Sequence, residues 1–343
     1  MKKLSINIPT YNRDSFLKKN LNIIIDQLRK DGFVDIVEIN VSDNASTDNT
    51  QKVVTEIIDC NKDVSITYKC NEQNLGPDLN FVAAMQMAQG EYSILFGDDD
   101  FFEEGAIKSI IHLICDNPEI TIFLSNRINI DACDNYLGTL KFMREDIGTE
   151  IFDFAQKNDA RAYFSLISDH GGLLTFISSV IYKTAILDEI GKYNKDCTGT
   201  CYSFLYYWWS SILMGKKLMY VNEYLIRATV SGVTNNNYDQ GIKRLLVDTE
   251  GLSKIASIVF INKKSLENDF LAAVRRPISI SRIYSAIMND DVGGTDKLYS
   301  SMQDCRWPLA DIKGWKYMLS KRNSFKSFIK YFAPYFISRK IRF

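Results

Sequence analysis

Apolar positions follow two different spacings along the first 130 residues of the chain. Short apolar runs typical of buried strands cover residues 4–9, 34–43, 64–70, 91–97 and 120–126. Segments with the three-to-four-residue apolar spacing of amphipathic helices separate them, over 15–30, 47–60, 78–90 and 103–117. Strands and helices in alternation predict an α/β fold, with a mainly parallel sheet flanked by helices.

The alternation weakens beyond about residue 130. Residues 171–191 predict a strand followed by a helix, 202–215 an aromatic-rich helix that ends at glycine, and 216–230 another strand. From 240 to 330 the pattern is mostly helical. We therefore expect an α/β domain over 1–235 and a helical C-terminal region over 236–343.

The first four predicted strands all end in polar segments. These segments read PTYNR, SDNASTD, NEQNLGPD and GDDD. The carboxyl ends of parallel strands lie at one edge of the sheet, where ligands bind in open α/β folds. Four such ends favour a ligand site at this edge over ordinary polar turns.

Three consecutive carboxylates, Asp98, Asp99 and Asp100, follow the fourth strand. Like charges held side by side repel one another, and partial burial increases that repulsion. A helix cap would account for one carboxylate and a solvated turn is the simplest alternative. A divalent cation shared with a diphosphate accounts for all three.

The four strand ends together resemble those of family 2 glycosyltransferases with the GT-A fold. The resemblance rests on INIPTYNR, VSDNASTDNT, NLGPDLNF and the aspartate cluster, in this order, and spans roughly residues 1–230. It implies that 1–235 is the nucleotide-sugar-binding and catalytic domain. The residues implied to bind the nucleotide-sugar are Pro9, Thr10, Tyr11, Arg13, Asp43, Gly76, Asp78, Asn80, Asp98 and Asp99.

The resemblance also implies Mn²⁺ or Mg²⁺ as cofactor, held by Asp98, Asp99 and Asp100. A divalent cation can neutralise a diphosphate leaving group, and Asp100 is a candidate catalytic residue for this reason. Two registers remain open. Aligning from the following aromatic residue places Gly97 at the first acid of the family's D-x-D motif, whereas aligning from the carboxylates uses Asp98 and Asp100.

The catalytic base expected from the resemblance is absent at the matching positions. Inverting relatives carry Glu-Asp at the start of the helix that corresponds to 202–215, where this chain has Ser203 and Phe204. Asp196 is the nearest acid upstream, and Asp169 and His170 precede the segment that lies near the acceptor in relatives. Either one of these residues acts as the base, or a retaining reaction needs none. Histidine is the usual proton shuttle near neutral pH.

Charge is distributed unevenly along a chain whose formal net charge is only −1. The last 32 residues hold nine Lys/Arg and no acid, which leaves 32 basic against 42 acidic residues, about −10, before them. The segment 314–343 combines eight of these cations with aromatic residues, a composition typical of helices that dock on anionic membranes. A solvated helix is the plain alternative, and the acidic body disfavours nucleic-acid binding.

The remaining features indicate an intracellular location. Seven cysteines without a C-x-x-C motif are typical of reduced thiols, and neither a signal peptide nor an 18-residue apolar run occurs. We expect a cytoplasmic protein, peripheral on the inner face of the plasma membrane. A homo-oligomer is left open.

The predicted function is transfer of a sugar from a nucleotide-diphosphate sugar to a lipid-linked oligosaccharide of a bacterial surface polysaccharide. The GDDD form and the missing Glu-Asp resemble O-antigen transferases for dideoxyhexoses such as abequose, which would imply a CDP-sugar donor and retention of configuration. The alternative is a nucleotide-sugar-binding protein without transfer activity.

Overall fold

The chain is built around one mixed sheet flanked by helices. The computed structural model describes residues 2–230, 241–288, 290, 293–308 and 311–314. The strands in this part are β1 Leu4–Thr10, β2 Val37–Asp43, β3 Ser65–Cys70, β4 Tyr92–Leu95, β5 Phe101–Phe102, β6 Ile122–Ile130, β7 Tyr136–Leu140, β8 Glu150–Asp153, β9 Val180–Lys183 and β10 Lys217–Thr229. The main path of the sheet runs β3-β2-β1-β4-β9-β6-β10-β5, with β7 on β6 and β8 on β10.

Helices connect the strands and continue beyond them. The helices over the described residues are α1 Asp14–Asp31, α2 Thr50–Cys60, α3 Pro77–Met85, α4 Ala106–Asp116, α5 Lys157–Leu166, α6 Ile186–Ile190, α7 Leu205–Leu213, α8 Gly241–Leu246, α9 Leu252–Val259, α10 Lys264–Arg275, α11 Ile280–Met288 and α12 Thr295–Asp304. A π-helical turn, Val247–Gly251, separates α8 from α9. The predicted helical character beyond residue 240 agrees with these elements.

The predicted α/β class is confirmed, and the parallel pairing is concentrated in the first half of the chain. Strands β3, β2, β1 and β4 pair in parallel, and the side chains of β1 and β2 are buried along their whole lengths. Strand β9 then runs antiparallel to both β4 and β6. Because β6 therefore points the same way as β4, the carboxyl ends of β1, β2, β4, β6 and β10 lie at one edge.

Two predicted elements differ in extent. The fourth strand covers only Tyr92–Leu95, because Asp98–Asp100 turn away before β5. Residues 171–179 form two short 3₁₀ turns instead of the start of a strand. Gly171 and Gly172 lie so close to Phe142 and Ile167 that a Cβ atom at either position would approach a neighbour within 3.0 Å, which explains the compact turn there.

One hydrophobic core joins the second half of the sheet to the C-terminal helices. Trp208 and Trp209 of α7 are fully buried and belong to the same core as Phe260 and Phe270, beside α9 and in α10. The aromatic segment 202–215 is therefore mostly packing. The predicted boundary at 235 lies outside the described residues, as does 315–343 of the basic segment. No helix of the described part is both long and apolar enough to cross a membrane.

Candidate active site at the carboxyl edge of the sheet

The ends of β1, β2 and β4 meet at one point of the carboxyl edge. Thr10 is paired with Asp43 across β1 and β2, and its hydroxyl donates to Asp98 Oδ2 at 2.7 Å. Arg13, just beyond β1, forms ion pairs with Asp98, at 3.3 Å, and with Asp99. The sequence-predicted residues Thr10, Arg13, Asp98 and Asp99 are therefore brought together.

The aspartate turn 98–100 is fixed by polar contacts from neighbouring elements. Asn20 of α1 donates to the carbonyls of Gly97 and Asp100, at 3.0 and 2.6 Å. Ser178 donates to Asp100 Oδ2 at 2.5 Å and accepts from the Gly97 amide at 2.9 Å. Asn20 and Ser178 were not identified from the sequence, because an asparagine within a helix and a serine in a connecting segment carry no signal of their own.

Burial and mutual repulsion make two of the three carboxylates weak acids. Burial, followed by the charge of Asp99, raises the pKa of Asp98 to about 7, against the lowering effects of Arg13 and Thr10. The same two causes raise the pKa of Asp100 to about 7, opposed by Ser178 and Arg127. The charges of Arg13 and Arg127 thus do not offset the burial and mutual repulsion of these carboxylates.

Gly97 has no room for a side chain. A Cβ atom there would lie 2.7 Å from Asp100 Oδ2 and 3.3 Å from Ser178 Oγ. This close approach explains the glycine at 97 but does not choose between the two registers, which stay a prediction. The carboxylates at this edge are those of 98–100.

Arg127 is a functional candidate that the sequence reasoning missed. It lies on β6, its guanidinium stacks 4.4 Å from the ring centroid of Phe176, and its Nε is buried without a hydrogen-bond partner among the described residues. Burial lowers the pKa of Arg127, whereas the charges of Asp169 and Asp100 raise it. In the sequence, the signal that could have identified Arg127 was a single arginine near the carboxyl end of an apolar strand.

The residues predicted for nucleotide contact on β1 and β2 lie at the same edge. Tyr11 is 43% exposed just beyond β1 and is open to stacking, while Pro9 is buried within the strand. Asp43 is fully buried and accepts hydrogen bonds from the Ser46 amide, at 2.8 Å, and from the Tyr68 hydroxyl, at 2.6 Å. Its role toward base or ribose stays a prediction.

The third loop contributes Gly76, Asp78 and Asn80, which lie in different surroundings. Gly76 has a φ of 78° at the start of α3, a conformation that favours glycine, and lines a pocket at this edge. Asp78 instead accepts hydrogen bonds from the backbone amides of Gly199, Cys201 and Ser203 at 2.8 to 3.1 Å, so it anchors the loop before α7. Asp78 also lines the pocket at this edge, and its contact with a nucleotide stays a prediction.

Asn80, in α3, contacts the ends of β1 and β2. It is buried, and its amide donates to the carbonyls of Ser42 and Thr10 and accepts from the Ser42 hydroxyl and from Asn71. Although it lies on a helix, its side chain does not face solvent. Asn80 ties the ends of the strands together beneath the edge.

The candidates for a catalytic base lie apart from one another. Asp169 accepts from the Gly171 amide at 2.9 Å and its charge acts on Arg127, so it is close to the edge. Asp196 is exposed on a short 3₁₀ turn. His170 is buried, with Nε2 2.7 Å from the Val274 carbonyl and Nδ1 3.6 Å from Asp248, both in the helical region, and a catalytic role for it stays a prediction.

Ser203 and Phe204, at the positions where inverting relatives carry Glu-Asp, are buried. Ser203 bonds to Asp78, and Phe204 packs edge-on against Phe81 with ring centroids 5.6 Å apart. A carboxylate does lie at the start of α7, but it is that of Asp78 and is saturated by amide donors. Neither of the two aligned positions supplies a base.

A pocket of about 410 Å³ opens beside this region. Its lining comes from the loop before α3, from the segment preceding α7 and from α8 with the π-helical turn; among its members are Gly76, Asp78, Gly199, Cys201 and Lys243. Cys201 has a φ of 60°, and Asp78 holds this strained segment in place. The pocket thus lies between the α/β part of the chain and the helical region.

The aspartate cluster fits a cation only in combination with a ligand. Among the described residues, no group of three His, Cys, Asp or Glu side chains is arranged to hold a metal ion. Mg²⁺ and Mn²⁺ are commonly held by one or two carboxylates together with substrate phosphates and water. The raised pKa values of Asp98 and Asp100 agree with such a partial site, because a cation would relieve the repulsion that raises them.

Comparisons with known proteins agree with this geometry. Abequosyltransferase RfbV of Salmonella typhimurium is 30% identical over 270 residues, which is 78% of each chain. The GalNAc(5)-diNAcBac-PP-undecaprenol beta-1,3-glucosyltransferase of Campylobacter jejuni is 35% identical over 112 residues, about a third of each chain.

Solved structures show the same fold. Residues 1–349 of S. aureus TarS in complex with UDP superpose with a TM-score of 0.63 at 18% identity, over 88% of this chain and 80% of that one. The mannosyltransferase PcManGT of Pyrobaculum calidifontis, in complex with GDP-Man and Mn²⁺, gives a TM-score of 0.55 at 15% identity, over 93% and 84%. The family model for glycosyl transferase family 2 matches residues 5–183. With that match over half its length and its aspartates at the carboxyl edge of a GT-A-like sheet, the chain belongs to glycosyl transferase family 2.

Proposed function

We propose that the protein transfers a sugar from a nucleotide-diphosphate sugar to a lipid-linked oligosaccharide in the synthesis of a bacterial surface polysaccharide. The observation that carries this proposal is the convergence of Thr10, Arg13 and Asp98–Asp100 at one edge of the sheet. The similarity to an abequosyltransferase supports CDP-abequose or a related deoxysugar as donor. The similarity to a transferase whose name includes PP-undecaprenol supports the lipid-linked acceptor.

Each group at the edge has a role in this reaction. Asp98, Asp99 and Asp100 would hold Mn²⁺ or Mg²⁺, which supplies charge neutralisation for the diphosphate. Arg13 and Arg127 flank the carboxylates and are placed to orient the phosphates, since guanidinium groups bind phosphate oxygens in a forked geometry. The exposure of Tyr11 just beyond β1 supports a role in stacking on the base.

We infer a retaining reaction from the absence of an acid at Ser203 and Phe204. The bond between the anomeric carbon and the phosphate oxygen breaks, and the acceptor hydroxyl forms the new bond on the same face. The acceptor proton passes to the leaving phosphate, so no separate base is required. Asp169 and Asp196 are the side chains to test if the product is inverted.

The proposal is tested by turnover. Purified protein is incubated with a panel of nucleotide-sugars, Mn²⁺ and a lipid-diphosphate-linked acceptor, while nucleoside diphosphate release is measured and the anomeric configuration of the product is read by NMR. Release that depends on the acceptor is expected for one donor class. Tight nucleotide-sugar binding without release for any donor would contradict transfer and favour the alternative, a nucleotide-sugar-binding protein.

Cation binding is expected to depend on pH. Because Asp98 and Asp100 carry protons below pH about 7, binding must release them, so affinity for Mn²⁺ should rise with pH up to about 7 and level off above it. Below that point the change is about tenfold per pH unit for each proton released. We expect Mn²⁺ to raise the melting temperature more at pH 8 than at pH 6.

The raised pKa values also affect the stability of the metal-free protein, which should fall with rising pH whereas Mn²⁺ affinity rises. Without the cation, the folded protein holds protons that the unfolded chain has lost between pH 3.8 and about 7. The metal-free protein should therefore lose stability as pH rises through this range. An equal Mn²⁺ shift at both pH values would contradict a cation site at these carboxylates.

We propose that the basic segment 314–343 binds the anionic membrane surface and keeps the protein peripheral on the cytoplasmic face. Nine cations and nine aromatic residues after residue 311 support this. Deleting 314–343 is expected to abolish sedimentation with phosphatidylglycerol vesicles while leaving turnover on a short water-soluble acceptor largely intact. Equal loss of both would instead indicate a structural role for the segment.

A further inference from the structure

The hydroxyl of Ser178 bridges two parts of the aspartate turn. It accepts a hydrogen bond from the Gly97 amide at 2.9 Å, and it contacts Asp100 Oδ2 at 2.5 Å. An amide N–H only donates, so the single proton of the hydroxyl is left for the carboxylate. Ser178 is fully buried, and solvent therefore does not compete at either contact.

The two oxygens of Asp100 consequently lie in different surroundings. Oδ2 is held by Ser178, whereas no donor among the described residues lies within hydrogen-bond distance of Oδ1. Buried carboxylates ordinarily have partners for their polar atoms. Oδ1 is thus the oxygen of Asp100 that is open to an incoming ligand.

Close packing keeps the Asp100 carboxylate in this orientation. A Cβ atom at Gly97 would lie 2.7 Å from Asp100 Oδ2 and 3.3 Å from Ser178 Oγ. Asn20 donates to the carbonyls of Gly97 and Asp100, at 3.0 and 2.6 Å, and so fixes the backbone on both sides of the turn. Rotating the carboxylate out of this orientation would break its contact with Ser178.

The other two carboxylates of the turn are held by a charged group. Asp98 pairs with Arg13 through Oδ1 at 3.3 Å and accepts from Thr10 through Oδ2 at 2.7 Å. Asp99 also pairs with Arg13. Asp100 forms no ion pair with the described residues, and its hydrogen bond comes from a neutral hydroxyl. Its charge is therefore the one most available to a cation.

A carboxylate that offers a single oxygen favours small cations. Mg²⁺ requires near-ideal octahedral geometry, whereas Ca²⁺ takes more oxygen ligands and accepts carboxylates through both oxygens. The two oxygens of one carboxylate are too close together to fit two corners of an octahedron without distortion. Holding Oδ2 of Asp100 in a hydrogen bond therefore disfavours Ca²⁺ relative to Mg²⁺ and Mn²⁺.

We propose that Ser178 is a positioning residue that sets the cation preference of the aspartate cluster. By holding Asp100 Oδ2, it leaves Oδ1 for the metal and favours Mg²⁺ or Mn²⁺ over Ca²⁺. The proposal rests on the proposed function, because it concerns the cation site of that reaction. A serine that only supported its own 3₁₀ turn would bond within that turn, but the partners of Ser178 lie 78 and 81 positions earlier in the chain.

Ser179 provides a matched control. It follows Ser178 in the same turn, is equally buried, and its hydroxyl has no hydrogen-bond partner among the described residues. Ser179→Ala therefore removes a buried hydroxyl without changing a contact to the aspartate turn. Ser178→Cys keeps a weak donor at the bridging position and separates loss of the hydrogen bond from loss of packing.

The test is cation binding, which does not depend on turnover. Mg²⁺, Mn²⁺ and Ca²⁺ are titrated into the full-length protein at pH 8, with and without cytidine diphosphate, and binding is read from the rise in melting temperature. We compare the natural protein with Ser178→Ala, Ser178→Cys and Ser179→Ala. The quantity compared is the ratio of the Ca²⁺ and Mg²⁺ concentrations that give half of the full rise, because uniform weakening of the site leaves this ratio unchanged.

The expected result is a loss of preference among cations. Ser178→Ala should weaken Mg²⁺ binding by about tenfold to a hundredfold, the usual range when a group that orients a metal ligand is removed. Ca²⁺ should be affected least, because Asp100 can then bind it through both oxygens. The preference for Mg²⁺ over Ca²⁺ should fall by about tenfold, with Ser178→Cys intermediate and Ser179→Ala unchanged.

An unchanged preference in Ser178→Ala, including an equal loss for all three cations, would overturn the proposal and make the serine a structural residue. The same change in Ser179→Ala would also overturn it, since the effect would then come from the turn as a whole. If Ser178→Ala shows no melting transition, the comparison of Ser178→Cys with Ser179→Ala decides.

The proposed function can fail separately. A changed cation preference in a protein that shows no turnover with any donor would contradict sugar transfer and leave the role of Ser178 standing. Turnover with an unchanged preference in Ser178→Ala would have the opposite meaning. A natural protein that binds none of the three cations would contradict both the cation site and this proposal.

Discussion

Replacing Asp100 with asparagine is expected to lower kcat/KM for sugar transfer by about 10²–10³-fold, the range seen when one preorganised charge-stabilising group is removed. Asparagine keeps the shape of the side chain, and its amide oxygen can still accept the hydrogen bond from Ser178. The variant therefore removes charge rather than packing. It is measured by initial rates of nucleoside diphosphate release at saturating Mn²⁺.

The same replacement should leave the fold as stable as before or make it more stable. Asp100 is buried and repelled by Asp99 and Asp98, and these effects raise its pKa to about 7. Removing one of three neighbouring carboxylates relieves that repulsion. Asp59→Asn, an exposed acid paired with Lys62, serves as control and should change neither property. Activity of Asp100→Asn equal to that of the control would contradict the metal and diphosphate assignment.

Replacing Arg127 with methionine is expected to lower kcat/KM by about a hundredfold. Methionine fills much of the same volume against Phe176, so the loss reflects the missing charge. Because Arg127 lowers the pKa of Asp100, its removal should also move the pH at which Mn²⁺ binding levels off to a higher value. The pH profile of transfer then shifts upward together with that of metal binding.

A structural role for Arg127 would produce a different pattern. If the arginine only supported the fold, the variant would lose melting temperature and activity together at every pH, and the profile would keep its position. Arg29→Gln is the matched control, since it removes an exposed arginine whose partner is Asp63. A hundredfold loss accompanied by the shifted profile is specific to a charge acting at the aspartate cluster.

Much of the proposed donor side of the site could be predicted from the sequence, because its residues come directly after strands. Thr10, Arg13 and the aspartates lie directly after strands, and parallel strands bring their carboxyl ends together whatever the details of packing. Asp78 and Asn80 lie in the same motif, but the protein groups that they contact could not be read from it. Their burial against the segment before α7 and against the ends of β1 and β2 depends on contacts between residues 38 to 125 positions apart.

The residues that the sequence reasoning missed share one property. Asn20, Ser178 and Arg127 are each isolated in the sequence, and none belongs to a spaced motif. His170 was noticed because histidine is scarce in this chain, but scarcity carries no information on what the ring faces. Its partners, Asp248 and Val274, are supplied by the helical region.

The amino-acid sequence by itself determined the α/β class and the family, and it predicted the edge of the sheet at which the donor would bind. It could do so because strand and helix periodicity and strand-end motifs are local properties of the chain. Only the tertiary structure decided which polar residues face the site and which cross-link the loops beneath it. It also brought Ser178 against Asp100, 78 positions away in the chain, because β9 runs antiparallel to β4 and so places the turn before β9 at the carboxyl end of β4.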